Sequence, residues 1–336
     1  GQAEEMLRHT KPDVVIVTTM SLLKDVGEAL LLCARLGINA ITTCEEAFYP
    51  ANSNPSLTEE INRLAKENGI NFIGLKREKN RFLFFFDKKV LQSILNLKFK
   101  PDLIISTGGG HSYHILKYAK KKKIPYYLLE ENVKMGLVNK LFLHSSINLF
   151  SPFKFKTRKA IHAAHPSTLI NVKTAKTEYD FLFLGGSLGS DIIAKLAIKM
   201  RNMPYKSVLI CGKKKEKYLK YQNKNLKILD FVELEDYYAS SDIVVTRAGS
   251  STLFELLAYN KKMIIIPSKK TRGNHQVLNA EFFQNNDLGI YFDETSVNLN
   301  TLIEISKYNF DKITLSQKKF LNTLSILPYE KIIRKA

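Results

Sequence analysis

The feature that most constrains this chain is the stretch from Ser241 to Ala280, in which two apolar runs are each followed by polar residues. The first run, Ile243 to Val245, and the second, Met263 to Ile266, have the length and continuous apolar character of buried parallel strands. The carboxyl ends of parallel strands meet at one edge of a sheet, where open α/β folds bind ligands. Both polar segments are therefore expected at one ligand-binding edge.

The polar residues after the first run are typical of a phosphate-binding helix start. Arg247 and Gly249 are followed by Ser250 to Thr252 and then by LFELLA. Small hydroxyl residues before a helical pattern predict an N-capped helix, whose free N–H groups and positive dipole end suit a phosphate. Glu255 is placed in the first turn, within reach of the sugar of a nucleotide bound there.

The second run is stopped by Pro267, and a polar loop leads from it to His275. Gln276 and Asn279 are spaced to lie one turn apart on the helix that follows. This segment is predicted to bring further polar groups to the same edge.

In order and spacing, these residues resemble the donor-site signature of the MurG-like enzymes of glycosyltransferase family 28. The matching positions are Asp242, Thr246, Arg247, Gly249, Thr252, Glu255, Pro267, His275, Gln276, Asn279 and Ala280. The resemblance implies an α/β fold of the GT-B type, with two Rossmann-like domains facing a cleft. In this family the glutamate binds the ribose, the threonine and nearby amides hold the diphosphate, and the glutamine contacts the donor sugar.

Two further segments extend the resemblance on the donor side. The run Phe181 to Leu184 leads into GGSLGS, which resembles the family's GGSxG diphosphate loop, and the family recognises the base near Phe231 and Val232. The implied donor site comprises Gly186, Ser187, Val232, Arg247, Gly249, Ser251, Thr252, Glu255, His275, Gln276 and Asn279.

The middle of the chain resembles the acceptor side of the same family. A predicted strand, Pro101 to Ser106, precedes three glycines, and a later segment matches the family pattern HEQNxxxGxxNK in part. Glycines after a strand let a ligand approach the backbone closely, although a tight turn would use them too. The implied acceptor-side residues are Gly108, Gly109, Gly110, Glu131, Asn132 and Asn139. His111 and His114 are weak candidates for a catalytic base or phosphate ligand, with a structural role as the alternative.

Two departures from the family pattern keep a second interpretation open. The family's GxGGH loop is absent after the first predicted strand, and His165 to Thr168 stands where the family has NPVR. These departures affect the acceptor side and turnover more than donor binding. A non-catalytic UDP-sugar-binding subunit is therefore the alternative to an inverting, metal-independent transferase of N-acetylglucosamine.

Residues 1–70 differ from the rest in charge and in resemblance. They carry 6 basic and 10 acidic residues, whereas the remainder carries 45 and 22. Ile41 to Gly69 resembles the nucleotide domain of 2,4-diaminopentanoate dehydrogenase and its dihydrodipicolinate-reductase-like relatives, which suggests an NAD(P)-dependent oxidoreductase as a rival. That family's GxGxxG loop is missing here. Either a fusion or a convergence of Rossmann-like halves explains the change. We predict three segments: 1–70, with βαβα order, 71–165, and a donor domain over 166–336.

Charge, apolar runs and cysteine content limit which other binding partners and locations the chain can have. The net charge of +19 favours a polyanionic neighbour, and Lys120 to Lys123 suits either a solvated helix end or an anionic membrane. Phe82 to Phe86 is interpreted as core or, less favoured, as a membrane contact. No run approaches the ~20 apolar residues of a membrane span, no secretory signal is apparent, and the three cysteines show no metal spacing.

We accordingly expect a cytoplasmic protein that binds peripherally at the inner face of the plasma membrane. Its expected partners are a UDP-sugar and a lipid-diphosphate or glycan acceptor, with no nucleic acid, metal or other cofactor. Residues 151–176, rich in Lys, Thr, Ser and His, are predicted to be an interdomain linker.

Overall fold

The computed structural model describes residues 2–10, 14–17, 23–42, 54–70, 103–110, 112–168, 170, 172–186, 189–269 and 271–326. By internal contacts the chain divides into two compact units. The first comprises Gly1–Tyr127 and His144–Ile147, and the second comprises Leu128–Leu143 and Asn148–Ala336. The predicted boundaries at residues 70 and 165 stay predictions.

The first unit begins with a helix and then alternates strands and helices. In chain order its elements are α1 (Gln2–Thr10), β1 (Val14–Val17), α2 (Leu23–Arg35), β2 (Asn39–Thr42), α3 (Pro55–Glu67), β3 (Ile104–Ser106) and α4 (Ser112–Lys122). The βαβα order predicted for residues 1–70 is confirmed. Gly37 and Gly69, which follow α2 and α3, have φ values of +67° and +70°, which only glycine adopts readily.

Strands β1 and β2 pair in parallel as a two-stranded sheet. Helices α2 and α3 pack together through a small apolar cluster that includes Val26, Leu30 and Ile61. Helix α3 begins at Pro55 because the Asn54 side chain accepts a hydrogen bond from the Leu57 N–H and proline suits the first turn of a helix. The segment Phe82 to Phe86, interpreted above as core or membrane contact, lies outside the described residues.

Strand β4 (Tyr126–Leu129) crosses from the first unit into the second. Helix α5 (Leu137–Phe142) and strands β5 (Leu149–Ser151) and β6 (Ala160–His162) follow it in the second unit. The strand order of this sheet is β3-β4-β5-β6, and the pairings of β4 with β5 and of β5 with β6 are parallel.

The prediction of a linker over residues 151–176 was wrong for its first half. Strand β6 lies within it, and Phe153 packs edge-on against Phe254 and Phe282 in a buried cluster. Polar composition suggested a linker, but the few apolar residues of the segment are those that become buried. Residues 172–178 carry no regular secondary structure.

The rest of the second unit is a helix-and-strand alternation built on one larger sheet. Its elements are β7 (Tyr179–Leu184), α6 (Asp191–Met200), β8 (Ser207–Ile210), α7 (Lys215–Tyr218), β9 (Leu226–Leu229), α8 (Leu234–Ser240), β10 (Ser241–Thr246), α9 (Ser250–Ala258), β11 (Lys262–Ile265), α10 (His275–Asn285), β12 (Ile290–Tyr291), α11 (Leu299–Ser306) and α12 (Asp311–Asn322).

All six strands of this sheet run parallel in the order β12-β11-β10-β7-β8-β9. The chain builds outward from β7 to one side and then returns to build outward from β10 on the other. In open α/β sheets, ligand-binding crevices form where the strand order reverses, at the carboxyl ends of the two central strands. The fold therefore places a ligand-binding edge after β7 and β10.

The continuous apolar runs of the central strands arise from burial on both faces of the sheet. Alternate residues enter two separate core clusters, with Leu182 and Val244 in one and Phe183 and Val245 in the other. All four side chains are fully buried. The predicted buried parallel strands are confirmed, with bounds shifted by one or two residues.

Candidate functional site

The loop after β7 forms one wall of the ligand-binding edge. A Cβ atom on Gly185 would lie 2.9 Å from the Ser190 backbone nitrogen, so this tight turn excludes any larger residue. Gly186 has φ +73° and is exposed at the edge. Ser190 caps α6, although its Oγ lies a long 3.5 Å from the Ile193 nitrogen. Ser187 lies outside the described residues.

The N-terminal end of α9 forms the second wall, and its start differs from the prediction. Gly249, and not a hydroxyl residue, is the N-cap, and no side chain caps the helix. Ser251 and Thr252 lie within the first turn, and Glu255 lies in the second turn instead of the first. An uncapped helix start presents backbone N–H groups and a positive dipole end to an anion. Ser251 is exposed there and Thr252 is half-buried.

Arg247 joins the loops that follow three neighbouring strands. Its Nε donates to Ser190 Oγ at 3.0 Å, and its Nη1 donates to the carbonyl oxygen of Ile266 at 3.0 Å and to Glu294 at 2.9 Å. Its side chain is only 18% exposed. The guanidinium thus fixes the ends of β7, β10 and β11 relative to one another.

Glu255 is half-buried and accepts a hydrogen bond from the Tyr238 hydroxyl at 2.8 Å. Burial raises the pKa of the Glu255 carboxyl group, and the Tyr238 hydroxyl partly opposes that rise. Val232, which follows β9, is half-buried and packs against the core cluster that contains Tyr238. Tyr238, which lies on α8, is a part of the site that the sequence did not single out.

Helix α10 carries His275, Gln276 and Asn279, the three polar residues predicted to follow the second apolar run. His275 starts the helix after Gly273 and Asn274, which have φ values of +70° and +58°. Gln276 Oε1 accepts the Ser268 N–H at 2.8 Å, which ties the helix to the loop after β11. The one-turn spacing of Gln276 and Asn279 on a single helix is confirmed.

Asn279 is almost fully buried, and its amide group forms hydrogen bonds with other residues of this chain. Its Nδ2 donates to the Ala248 carbonyl oxygen at 3.3 Å and to Asn132 Oδ1 at 3.2 Å, and its Oδ1 accepts the Val133 N–H at 3.2 Å. Asn279 therefore lies behind the edge and connects α10 to the segment after β4. The donor-binding role predicted for Asn279 stays a prediction.

The segment 130–136, here called the Glu130 loop, is closed by its own first residue. Glu130 Oε1 accepts the Asn132 N–H at 3.1 Å, while Oε2 accepts the Gly136 N–H at 2.8 Å and the Asn139 amide at 2.9 Å. Asn139 is buried. Burial, with a smaller effect of the neighbouring Glu130, raises the pKa of Glu131. The loop brings the predicted residues Glu131 and Asn132 beside Asn279.

A buried histidine links this loop to α9. The Ser250 hydroxyl donates to the Glu131 carbonyl oxygen and lies 3.3 Å from His165 Nε2. His165 Nδ1 accepts the Ser167 N–H at 3.0 Å, and the ring stacks on Phe254 with centroids 4.5 Å apart. Burial lowers the pKa of His165 to about 4, so the ring is neutral at neutral pH. The sequence marked His165 only as a departure from NPVR, and no local pattern indicates this contact.

The glycine loop after β3 lies in the first unit. Gly108 and Gly109 have φ values of +78° and +81°. The Gly108 N–H donates to Ser106 Oγ at 3.2 Å, and the Ser112 hydroxyl donates to the Gly108 carbonyl oxygen at 2.5 Å. Gly110 is exposed beside them. The predicted strand–glycine–helix order is confirmed here.

Of the two candidate histidines beside these glycines, the structure describes only His114. His114 is buried and packs edge-on against Tyr113, with ring centroids 5.3 Å apart, which favours the structural alternative. His111 lies outside the described residues. Neither the acceptor-side glycines nor the histidines have a tested role.

In the described ranges, no three His, Cys, Asp or Glu side chains are grouped as metal ligands would be. None of the helices there combines the length and the apolar character that crossing a membrane requires.

Comparison with known proteins assigns the larger sheet to a family. The glycosyltransferase family 28 C-terminal domain matches residues 181–322. A UDP-N-acetylglucosamine–N-acetylmuramyl-(pentapeptide) pyrophosphoryl-undecaprenol N-acetylglucosamine transferase from Thermosipho africanus is 34% identical over 221 residues, which cover 62% of this chain and 65% of the relative, just under two thirds. The enzyme of the same name from Finegoldia magna is 30% identical over 83% of this chain and 89% of its own length.

The fold agrees with these matches. The crystal structure of Acinetobacter baumannii MurG aligns with 97% of this chain and 100% of its own, with a TM-score of 0.65 and 18% identity. At that identity the likeness shows the GT-B fold alone, whereas the Finegoldia relative shows the family across most of the chain. By sequence and by fold, this chain belongs to the MurG-like proteins of glycosyltransferase family 28.

Proposed function

We propose that this chain is a glycosyltransferase that transfers N-acetylglucosamine from its UDP-sugar to a lipid-linked acceptor. The observation that carries the proposal is the joining of three strand–helix junctions at one sheet edge by Arg247 and Asn279. That edge offers an uncapped helix start for a diphosphate and a half-buried carboxyl group, Glu255, five residues into the same helix. The names of the Thermosipho and Finegoldia relatives supply the sugar and the lipid-diphosphate class of acceptor.

The proposed reaction is a single displacement with inversion and without a metal ion. An acceptor hydroxyl attacks the anomeric carbon, the bond from that carbon to the diphosphate oxygen breaks, and UDP leaves with the bonding electrons. A base accepts the hydroxyl proton. The N–H groups at the start of α9 and its dipole stabilise the charge that develops on the diphosphate.

We propose roles for single residues of this edge. Glu255 is proposed to bind the ribose hydroxyls through the carboxylate oxygen that does not accept from Tyr238. Ser251 and Thr252 are proposed to add hydroxyl donors beside the phosphates, and Gly186 to allow the diphosphate close to the backbone. His275 and Gln276 are proposed to face the donor sugar. Arg247 and Asn279 are proposed to position the junctions instead of touching the donor.

The proposal also includes the membrane surface at which the acceptor is bound. A lipid-linked acceptor and a net charge of +19 favour peripheral binding at the anionic, cytoplasmic face of the plasma membrane. Transfer to a polyprenyl-diphosphate acceptor in anionic vesicles tests this. Donor binding without any transfer would favour the alternative, a UDP-sugar-binding subunit, for which the missing GxGGH loop is the supporting observation.

Replacement of Glu255 tests the donor site directly. Glu255→Gln removes a charged hydrogen-bond acceptor, so the Kd for UDP should rise about 10- to 100-fold. Glu281→Gln on the exposed face of α10 is the matched control and should leave the Kd unchanged. Isothermal titration calorimetry gives both values. An unchanged Kd in Glu255→Gln would refute the ribose role.

A ligand comparison separates the transferase from the oxidoreductase. UDP at about 100 times its Kd should raise the free energy of unfolding by ~2.7 kcal/mol, whereas NADPH should give no shift. Thermal unfolding with each ligand measures this difference. Stabilisation by NADPH alone would contradict the proposal.

A further inference from the structure

We propose that His165 is a positioning residue: by donating from Nε2 to Ser250 it holds the Glu130 loop against the N-terminal end of α9, where the donor diphosphate is expected. The effect on turnover rests on the proposed function, while the effect on the loop does not. His165 itself is fully buried, so it acts through Ser250 and not by direct contact with a substrate in solution.

The hydrogen bonds around the ring fix its tautomer. Nδ1 accepts the Ser167 N–H at 3.0 Å, so in the neutral imidazole the proton resides on Nε2. Nε2 lies 3.3 Å from the Ser250 hydroxyl oxygen. The neutral ring therefore offers Ser250 a donor and not an acceptor.

The Ser250 hydroxyl completes a chain of two hydrogen bonds. It has one proton, which it donates to the Glu131 carbonyl oxygen, and its oxygen then accepts from His165. Hydrogen bonds in such chains polarise and strengthen one another. Because the hydroxyl proton is already used, Ser250 is not the hydroxyl donor to a phosphate, and that task is left to Ser251 and Thr252.

The Glu130 loop is held at two points by the donor-side helices. Asn279 of α10 binds Asn132 and Val133, and Ser250 of α9 binds Glu131. The first anchor is a buried amide with three contacts, whereas the second depends on the orientation of one hydroxyl. His165 fixes that orientation, and its ring is held in turn by stacking on Phe254 of the same helix.

Two substitutions at position 165 separate the roles of the two ring nitrogens. His165→Gln can place an amide N–H near the position of Nε2 and keep the donor to Ser250. His165→Asn is shorter and can reproduce only the Nδ1 acceptor for Ser167. Both variants lose the ring stacking on Phe254, so general destabilisation should affect them alike.

Hydrogen exchange of the ligand-free protein is the direct measurement. In His165→Asn the amides of residues 131–136 should exchange about tenfold faster, as the loss of one anchor predicts, while strand β7 should stay protected. His165→Gln should stay close to the wild type, and Ser250→Ala should resemble His165→Asn. The double variant His165→Asn/Ser250→Ala should add no further change. Equal loop exchange in the Asn and Gln variants would overturn the proposal.

The wild-type protein gives a second measurement that needs no variant. Nitrogen-15 correlation spectra should show His165 as the Nε2–H tautomer at pH 7. The Nδ1–H tautomer, or a protonated ring, would overturn the proposal even if every variant failed to fold.

Kinetics then test the consequence for turnover. His165→Asn should keep the Kd for UDP within about threefold and lower kcat about 10- to 100-fold, because a small displacement of a positioning loop is costly to reaction geometry. His165→Gln should restore most of the kcat. Loss of UDP binding in the wild type would contradict the proposed function, whereas a changed UDP Kd in His165→Asn alone would contradict the positioning role.

Discussion

Two strand–loop–helix junctions in this molecule look alike in sequence but are held differently. The junction between β3 and α4 in the first unit carries Gly108 to Gly110, and the junction between β10 and α9 in the second unit carries Gly249. The first is fixed by hydroxyls of its own neighbours, Ser106 and Ser112. The second is bounded by Arg247 and Ala248, whose contacts reach residues 190, 266, 279 and 294.

The difference shows where preorganisation in this chain comes from. Local hydroxyl contacts shape one turn and cost little to form, because they close short loops. Distant contacts fix several turns relative to one another, which a site that binds a diphosphate and a sugar together requires. The donor-side edge should therefore be sensitive to single substitutions far from any ligand, and the glycine loop of β3 should not.

Loss of Arg247 should have the largest effect. Arg247→Ala leaves Glu294, which is 23% exposed, without its ion-pair partner, and it also removes contacts to Ser190 and Ile266. Breaking a buried pair costs about 3–5 kcal/mol, and partial exposure favours the lower end of that range. Urea unfolding measures the loss.

The ion pair of Lys262 with Asp242 provides the matched control for Arg247. It lies in the same sheet but is 34% and 44% exposed, so Lys262→Ala should cost less than about 1 kcal/mol. Equal losses in the two variants would mean that the three-way contact of Arg247 adds no stability and that distant contacts do not stabilise this junction more than an ordinary surface ion pair does.

The second-largest effect is expected from His165, in the pH dependence of the free energy of unfolding. Burial lowers its pKa from 6.5 to about 4, so the unfolded chain binds a proton at pH values where the folded protein does not. Its contribution is fully present above pH 6.5 and is lost as the pH falls towards 4, by up to about 3 kcal/mol. Unfolding in urea at pH 7 and at pH 4.5 should show this loss.

His165→Gln isolates the histidine from the carboxyl groups that titrate in the same range. The variant cannot bind the proton, so its stability should fall less than that of the wild type between pH 7 and pH 4.5. Parallel pH profiles for the two proteins would mean that His165 binds a proton as readily in the folded protein as in the unfolded chain, so that folding does not lower its pKa.

The smallest effect is expected in the first unit. Ser106→Ala removes the acceptor of the Gly108 N–H, at a cost of at most about 1 kcal/mol, because the turn keeps the contact from Ser112. Calorimetric unfolding measures this cost, and UDP binding should be unchanged. A loss as large as that of Arg247→Ala would show that the glycine loop has distant contacts of its own.

The sequence alone located much of the candidate site. Continuous apolar runs predicted β7, β10 and β11 because parallel strands are buried on both faces, and the glycines after Ser106 indicated the turn at Gly108. The ordered signature from Asp242 to Ala280 identified the family before any coordinates. These features are local, or they recur at fixed spacing along the chain.

The sequence was less informative where one residue type serves two purposes. Asn279 belongs to the signature, yet its amide is buried against Ala248, Asn132 and Val133. The polar segment 151–176 was predicted to be a linker, yet its first half supplies β6 and the buried ring of Phe153. An amide can bind a sugar or a backbone equally well, and composition does not say which apolar residue finds a partner.

By itself, the sequence determined the parallel sheet, the order of its junctions and the family, because hydrophobic periodicity and turn residues act over a few positions. Only the tertiary structure decided that Arg247 faces three strand ends, that Asn279 supports the Glu130 loop, and that His165 reaches Ser250. The last pair is separated by 85 positions along the chain. Such contacts depend on where the folded backbone brings distant side chains, and no spacing rule encodes that.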